Sequence, residues 1–204
     1  TNAVYGFVSM LTRLLETERP THIAVAFDVS RHSFRTEEYP EYKGTRAKSP
    51  EEFTGQVTLI KEVLDALRIA HIELPGYEAD DLIGTISRKC QAAGWDCVIV
   101  TGDKDSLQLV TDRTRVKLVS TRMGQTTTKD MTPETFREQY GFDPIHMIDL
   151  KGLMGDTSDN IPGVPGVGEK TAMDLIQKYG SVDAIYEKLP DIDAKPAAIK
   201  KLKK

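Results

Sequence analysis

A chain of 204 residues can hold one substantial hydrophobic core, or such a core with a small appended module. Its 39% hydrophobic and 28% charged residues are the balance of a soluble globular protein. With no apolar run near the roughly 18–20 residues that span a bilayer, and no charged-then-apolar leader, a cytoplasmic protein without a membrane partner is expected.

The predicted elements begin with Val4, Phe7, Val8, Leu11, Leu14 and Leu15, which recur at helical spacing and predict a helix over residues 2–15. Ile23 to Phe27 is a continuous apolar run closed by Asp28, the pattern of a strand buried on both faces. Residues 29–48 are polar, aromatic and basic without a period, as in a functional loop. Ser49-Pro50-Glu51-Glu52 is a helix start with a cap, a first-position proline and a capping-box glutamate, followed by Phe53, Val57, Ile60, Leu64 and Leu67 at helical steps. A short strand over 69–74, a helix over 80–93 stopped by Gly94, a buried strand over 97–100 and a strand over 116–119 continue the alternation, which argues for a parallel sheet covered by helices. Beyond about residue 125 no further strand is expected. Thr132-Pro133-Glu134 and Asp143-Pro144 each read as cap and first-position proline, and a helix over 169–179 ends at Gly180. Cys90 and Cys97, seven residues apart, match no zinc or redox spacing and read as reduced thiols.

The net charge of −4 argues against a generic nucleic-acid surface, but its distribution matters more than its sum. Basic residues bunch at Arg31, Arg35, Lys43, Arg46 and Lys48, and again at Lys195, Lys200, Lys201, Lys203 and Lys204. Acidic residues stand where runs end or helices begin: Asp28, Glu78, Asp80, Asp81, Asp103, Asp105, Asp156 and Asp159. Ligands of open α/β sheets bind beyond the carboxyl ends of the strands, where Asp28 and the Asp103/Asp105 pair fall. Carboxylates brought together repel, so an array of this size points to divalent cations, and hard oxygen donors suit Mg²⁺ or Mn²⁺. Any one of these acids is equally well a helix cap, and Asp80 and Asp81 sit where a helix dipole favours negative charge.

The segment Gly155 to Ala172 joins two of the acids to a glycine-rich hairpin opening onto a helix. Glycines let backbone N–H groups approach a phosphate, and the helix N-terminus adds partial positive charge, which grips a nucleic-acid backbone without reading bases. The segment nearly spells a P-loop, but Glu169 separates the last glycine from Lys170 and no strand precedes it, so nucleotide binding is rejected.

Phe27-Asp28, Phe34-Arg35, Tyr42-Lys43-Gly44, Gly76 to Asp81, Thr101 to Asp105 and Gly155 to Ala172 together resemble the 5′ nuclease (flap endonuclease) family, in particular the N-terminal 5′–3′ exonuclease domains of bacterial DNA polymerase I. The matches run in the family's order from about Asp28 to Gly180. The resemblance implies a PIN-like α/β fold with a central parallel-type sheet flanked by helices, a helical arch, and a C-terminal helix-three-turn-helix module. It places the nuclease core in residues 1–130, its arch at about 29–55, and the DNA-holding module in 131–204. Asp28, Glu78 and Asp80 would surround a first metal; Asp81, Asp103, Asp105, Asp156 and Asp159 would hold a second. Arg35, Tyr42, Lys43 and Arg46 would contact the reacting strand. Gly163, Val164, Gly166, Val167 and Gly168 would bind duplex phosphates, with a K⁺ ion in relatives, assisted by Lys170 and Thr171.

Two Mg²⁺ or Mn²⁺ ions, DNA with a 5′ end or 5′ flap as substrate, a nucleoid-associated monomer and a polymerase fused beyond the C-terminus are the corresponding expectations. The family opens on a strand ending in a metal-ligating aspartate, and Asn2 begins after that point, so the array is expected to be one carboxylate short. A branched-DNA-binding module that does not cut is therefore the alternative reading. A PIN-type ribonuclease is a third, against which the Gly163 hairpin argues.

Overall fold

A computed structural model describes residues 2–46, 51–123 and 125–189. The helix start expected at Ser49-Pro50 and the C-terminal lysines from Lys195 onward lie outside the described residues, as does Lys48. The described residues form two units, one of residues 2–40, 46 and 51–82, the other of 41–45, 83–123 and 125–189.

The first unit contains α1 (Asn2–Glu18), β1 (Ala24–Ala26), α2 (Phe34–Glu38), α3 (Glu51–Ala66), β2 (Ala70–Ile72) and the first turn of α4 (Ala79–Ala92). The helical repeat of α1 brings Leu11 onto Ile60 and Leu64 of α3 and onto Ile69, with Val4, Phe7, Leu15, Ile23, Val25 and Phe27 around them. Phe53 and Leu67, at the two ends of the α3 stripe, are exposed, because the core beneath reaches only its middle. β1 and β2 pair in parallel from Ala24↔Ala70 to Ala26↔Ile72, and Phe27 N–H extends the ladder to the Ile72 carbonyl at 2.9 Å. The strand expected to be buried on both faces is not: Ala24 is exposed and Val25 and Ala26 half-buried. Among the described residues β1 hydrogen-bonds to β2 alone, so it remains an edge. The irregular stretch after Asp28 carries one short helix, α2, opened by reciprocal bonds between Ser33 and Thr36.

The second unit contains the rest of α4, then β3 (Cys97–Thr101), β4 (Thr114–Arg122), β5 (Gln125–Met131), α5 (Pro133–Tyr140), α6 (Met147–Met154), the short strands β6 (Gly155–Asp156) and β7 (Ile161–Pro162), α7 (Glu169–Tyr179) and α8 (Val182–Glu187). β3 and β4 are parallel, as the alternation predicts. β5 is a correction: it returns antiparallel to β4 from Arg122↔Gln125 to Val116↔Met131, where no strand was expected. Its only buried residue is Met131, so no apolar alternation marks it. Threonine's strand preference and the hydroxyl pairs Ser120–Thr127 and Thr121–Thr126, each 3.0 Å, hold it instead. The core packs Leu107, Val116, Met131, Phe136, Leu153 and Ile176 together. Thr132 caps α5 with Pro133 at the first position, and α7 ends at Gly180, both as read from sequence. Asp143-Pro144 opens a single 3₁₀ turn ahead of α6, without a side-chain cap bond. No helix among the described residues is long and apolar enough to cross a membrane.

Candidate metal and nucleic-acid site

In the first unit the acids are answered by protein donors. Asp28, just past β1, accepts from Ala79 N–H at 2.6 Å, tying the strand end to the start of α4. Glu78 is buried and accepts from the Ser33 hydroxyl at 3.2 Å, with an Arg35 nitrogen 4.0 Å from its other oxygen. Asp81 takes both prongs of the Arg35 guanidinium, at 2.7 and 2.8 Å, and accepts from Glu78 N–H at 2.9 Å. Asp80, on the first turn of α4, is exposed. These four do not form a group of three converging carboxylates. Arg35, expected on the reacting strand, is held within the unit by Asp81, and Arg46 is exposed, its carbonyl accepting from Arg31 at 3.2 Å.

In the second unit three acids converge. Asp105 lies in the 3₁₀ turn Lys104–Leu109 after β3, Asp156 ends β6, and Asp159 lies in the turn before β7. Each offers an oxygen within 4.8 Å of the others, and among the described residues this is the one such grouping. Asp103 caps the 3₁₀ turn by accepting from Asp105 N–H at 2.8 Å and does not join the group. Asp105 and Asp156 are about fifty positions apart, so only the fold brings them together.

Lys151 on α6 sits between them, 2.7 Å from Asp105 Oδ1 and bonded to Asp156 Oδ2. Sequence reading missed it; its sole signal is a basic residue one helical turn and a step ahead of Asp156. Burial pushes the Asp156 carboxyl up, but bonds from Lys151 and Ser158 outweigh it and hold it at about 2. Burial wins at Asp105, whose carboxyl is raised despite Lys151. Burial also lowers the Lys151 ammonium, but its two carboxylates outweigh that and raise it. Asp105 Oδ1 is buried, and the Lys151 ammonium 2.7 Å away is off the line of a well-aligned hydrogen bond. Three carboxylates, one ammonium and an under-satisfied buried oxygen fit a hard divalent cation.

The segment 41–45 belongs to this unit. Tyr42 is buried and its hydroxyl donates to Asp159 Oδ2 at 3.2 Å, while Lys43 N–H donates to the Asp159 carbonyl at 2.9 Å. The Lys43 ammonium lies 5.0 Å from the Tyr42 ring centre.

The glycine hairpin follows directly. Gly155 and Gly163 cross so closely that a Cβ on Gly163 would lie 2.2 Å from the Met154 carbonyl carbon. Val164 to Val167 close a turn through Val167 N–H on the Val164 carbonyl at 2.9 Å, with Pro165 second and Gly166 third at φ +74, the type II pattern. The Val164 amide is bonded to the Leu153 carbonyl, and the Val167 side chain is buried. These two valines shape the hairpin, leaving Gly166 and Gly168 exposed ahead of α7 and Lys170 exposed on its first turn; Gly163 and Thr171 are half-buried. His71 and His146 pair with Asp65 and Asp149 and are not members of the acid group. Burial, reinforced by Cys90, pushes the Cys97 thiol up to about 11, which disfavours a nucleophilic role.

The chain is similar to known proteins in sequence and in fold. The family described as 5′-3′ exonuclease, N-terminal resolvase-like domain, matches residues 1–141, and that described as 5′-3′ exonuclease, C-terminal SAM fold, matches 142–204. DNA polymerase I of Bacillus subtilis (strain 168) is 49% identical over 195 residues, 96% of this chain but 22% of that protein. The chain thus spans about a fifth of the curated relatives it matches. The T5 5′-exonuclease with bound zinc ions superposes with a TM-score of 0.77 and 27% identity, covering 98% of this chain and 75% of that one. The bacteriophage T5 flap endonuclease, solved as a pseudo-enzyme-product complex with DNA and metal ions, gives 0.76 and 27% over the same shares. With both family matches together covering residues 1–204, the chain belongs to the 5′–3′ exonuclease family.

Proposed function

We propose that this chain is a divalent-metal-dependent 5′ nuclease that hydrolyses phosphodiester bonds of DNA at 5′ ends and 5′ flaps, as part of a cytoplasmic, nucleoid-associated protein that continues into a polymerase. The observation that carries the reading is the convergence of Asp105, Asp156 and Asp159 on the unit that also carries the glycine hairpin. Bound divalent ions, Mg²⁺ or Mn²⁺ and two in number, would activate water and neutralise the leaving oxygen of an in-line displacement.

Asp105, Asp156 and Asp159 would hold one ion, with Asp103 reaching it through water, and Asp28, Glu78 and Asp80 would hold the other once Asp28 and Glu78 give up their bonds to Ala79 and Ser33. Asp81 fixes Arg35 and so organises the start of α4. Lys43 and Arg46 would offset charge developing on the scissile phosphate, and Tyr42, packed under Lys43, sets its direction. Gly163, Gly166, Gly168, Lys170 and Thr171 would grip duplex phosphates in the module of residues 131–204, with K⁺ as a further ligand of the hairpin. Membership in a nuclease family favours cutting over the alternative of a non-cleaving branched-DNA binder.

The test is a labelled 5′-flap DNA incubated with the chain in Mg²⁺ and in EDTA, beside Asp105→Asn. Metal-dependent release of the flap, lost in Asp105→Asn by at least about 10³-fold with DNA affinity largely kept, is expected. Full activity of Asp105→Asn in Mg²⁺ would refute the reading.

A further inference from the structure

Asn160, which follows the third clustered acid, has a side chain that the proposed chemistry leaves unused. Its Nδ2 donates to the carbonyl of Glu41 at 2.8 Å, across 119 positions of sequence but within one unit. That same carbonyl accepts from Gly44 N–H at 2.9 Å, closing a four-residue turn from Glu41 to Gly44. Lys43 is third in this turn with φ +54, a left-handed conformation in which glycine or asparagine is usual. A long side chain there is strained and persists only where surroundings over-determine it. One dipeptide supplies three of those restraints: Asp159 accepts from Lys43 N–H through its carbonyl and from Tyr42 OH through its carboxylate, and Asn160 clamps the turn's first carbonyl. Asn160 is itself left-handed, at φ +58, which asparagine tolerates better than other side chains.

We infer that Asn160 is a positioning residue for the nuclease reaction, latching segment 41–45 onto the acid cluster so that Lys43 is presented in its strained conformation. The inference rests on the reading of Lys43 as a residue that meets the scissile phosphate. Because Asp159 belongs to the cluster while its neighbour holds the strap, a shift of one is transmitted to the other through a single peptide unit.

Two substitutions separate the latch from the backbone it sits on. Asn160→Gly keeps the left-handed conformation and deletes the amide; Asn160→Asp keeps the size and turns a donor into an acceptor facing the Glu41 carbonyl. Amide hydrogen exchange over residues 41–45 comes first, since it requires no catalysis. Protection is expected to fall about tenfold or more in both variants, with the rest of the second unit unchanged. Unchanged protection overturns the latch.

Single-turnover cleavage of a 5′-flap DNA in Mg²⁺ comes second. Both variants are expected to slow the chemical step on the order of tenfold with little change in DNA affinity, and Asn160→Gly is expected to add nothing in a Lys43→Ala background. Lost protection with an unchanged rate, or additive effects with Lys43→Ala, overturns the positioning role. If Lys43→Ala itself cleaves normally, the reading of Lys43 fails instead and takes the catalytic half of this inference with it, while the exchange result still decides the latch.

Discussion

The two units treat their acids in opposite ways. In the first, Asp28, Glu78 and Asp81 are answered one by one, by a backbone amide, a hydroxyl and the fork of Arg35. In the second, Asp105, Asp156 and Asp159 face one another, and Lys151 is the cation between the first two. A carboxylate met by a bidentate guanidinium is stable as it stands. A convergent trio that shares one ammonium keeps net negative charge, and Asp105 within it is raised by burial first and by its acidic neighbours second, so the trio gains most from a further cation. Charge count alone does not separate the two regions; the identity of each carboxylate's partner does.

Removing the two cations sharpens this contrast most. Lys151→Met leaves the trio uncompensated and is expected to lower metal-free stability by about 1–3 kcal/mol, an effect that millimolar Mg²⁺ or Mn²⁺ largely reverses; urea unfolding in EDTA and in metal measures both. Arg35→Ala strips the partner from Asp81 and the neighbour from buried Glu78, for about 1–2 kcal/mol. Divalent ions should recover less of it, because these acids do not converge. Equal recovery in the two variants would erase the distinction between the units.

Ser33→Ala deletes one hydroxyl from Glu78 and is expected to cost about 1 kcal/mol in EDTA, read from the same unfolding curves. The pH dependence comes last, because two opposed shifts partly cancel in it. Asp156, depressed from 3.8 to about 2, contributes stability that is present above pH 4 and lost as pH falls toward 2. Asp105 acts oppositely, since protonating a raised carboxyl relieves its burial as pH falls. Asp156→Asn should therefore flatten the metal-free acid limb between about pH 4 and 2; a limb of unchanged slope would show that Lys151 does not hold Asp156 in solution.

The local parts of this protein were legible wherever a side chain acts on its own neighbourhood. The Thr132-Pro133 cap and the stop of α7 at Gly180 are short-range steric and hydrogen-bonding facts. β5 was illegible because a strand exposed at every position but one has no apolar pattern to display. The carboxylates were visible as residues, but their grouping was not: nothing in the spacing of Asp105, Asp156 and Asp159 separates them from Asp103, which instead caps its own turn. Lys151, Asn160 and the Arg35–Asp81 fork went unread for the same reason, since each acts on a partner chosen by the fold.

The central claim is that Asp105, Asp156 and Asp159 are a metal centre rather than a solvated acidic surface. Mn²⁺ titration followed by electron paramagnetic resonance, on the unsubstituted chain and on Asp156→Asn, tests it without requiring cleavage. At least one bound ion in the former, weakened tenfold or more in the latter, is the predicted result. Mn²⁺ binding of the same stoichiometry and affinity in both proteins would contradict it.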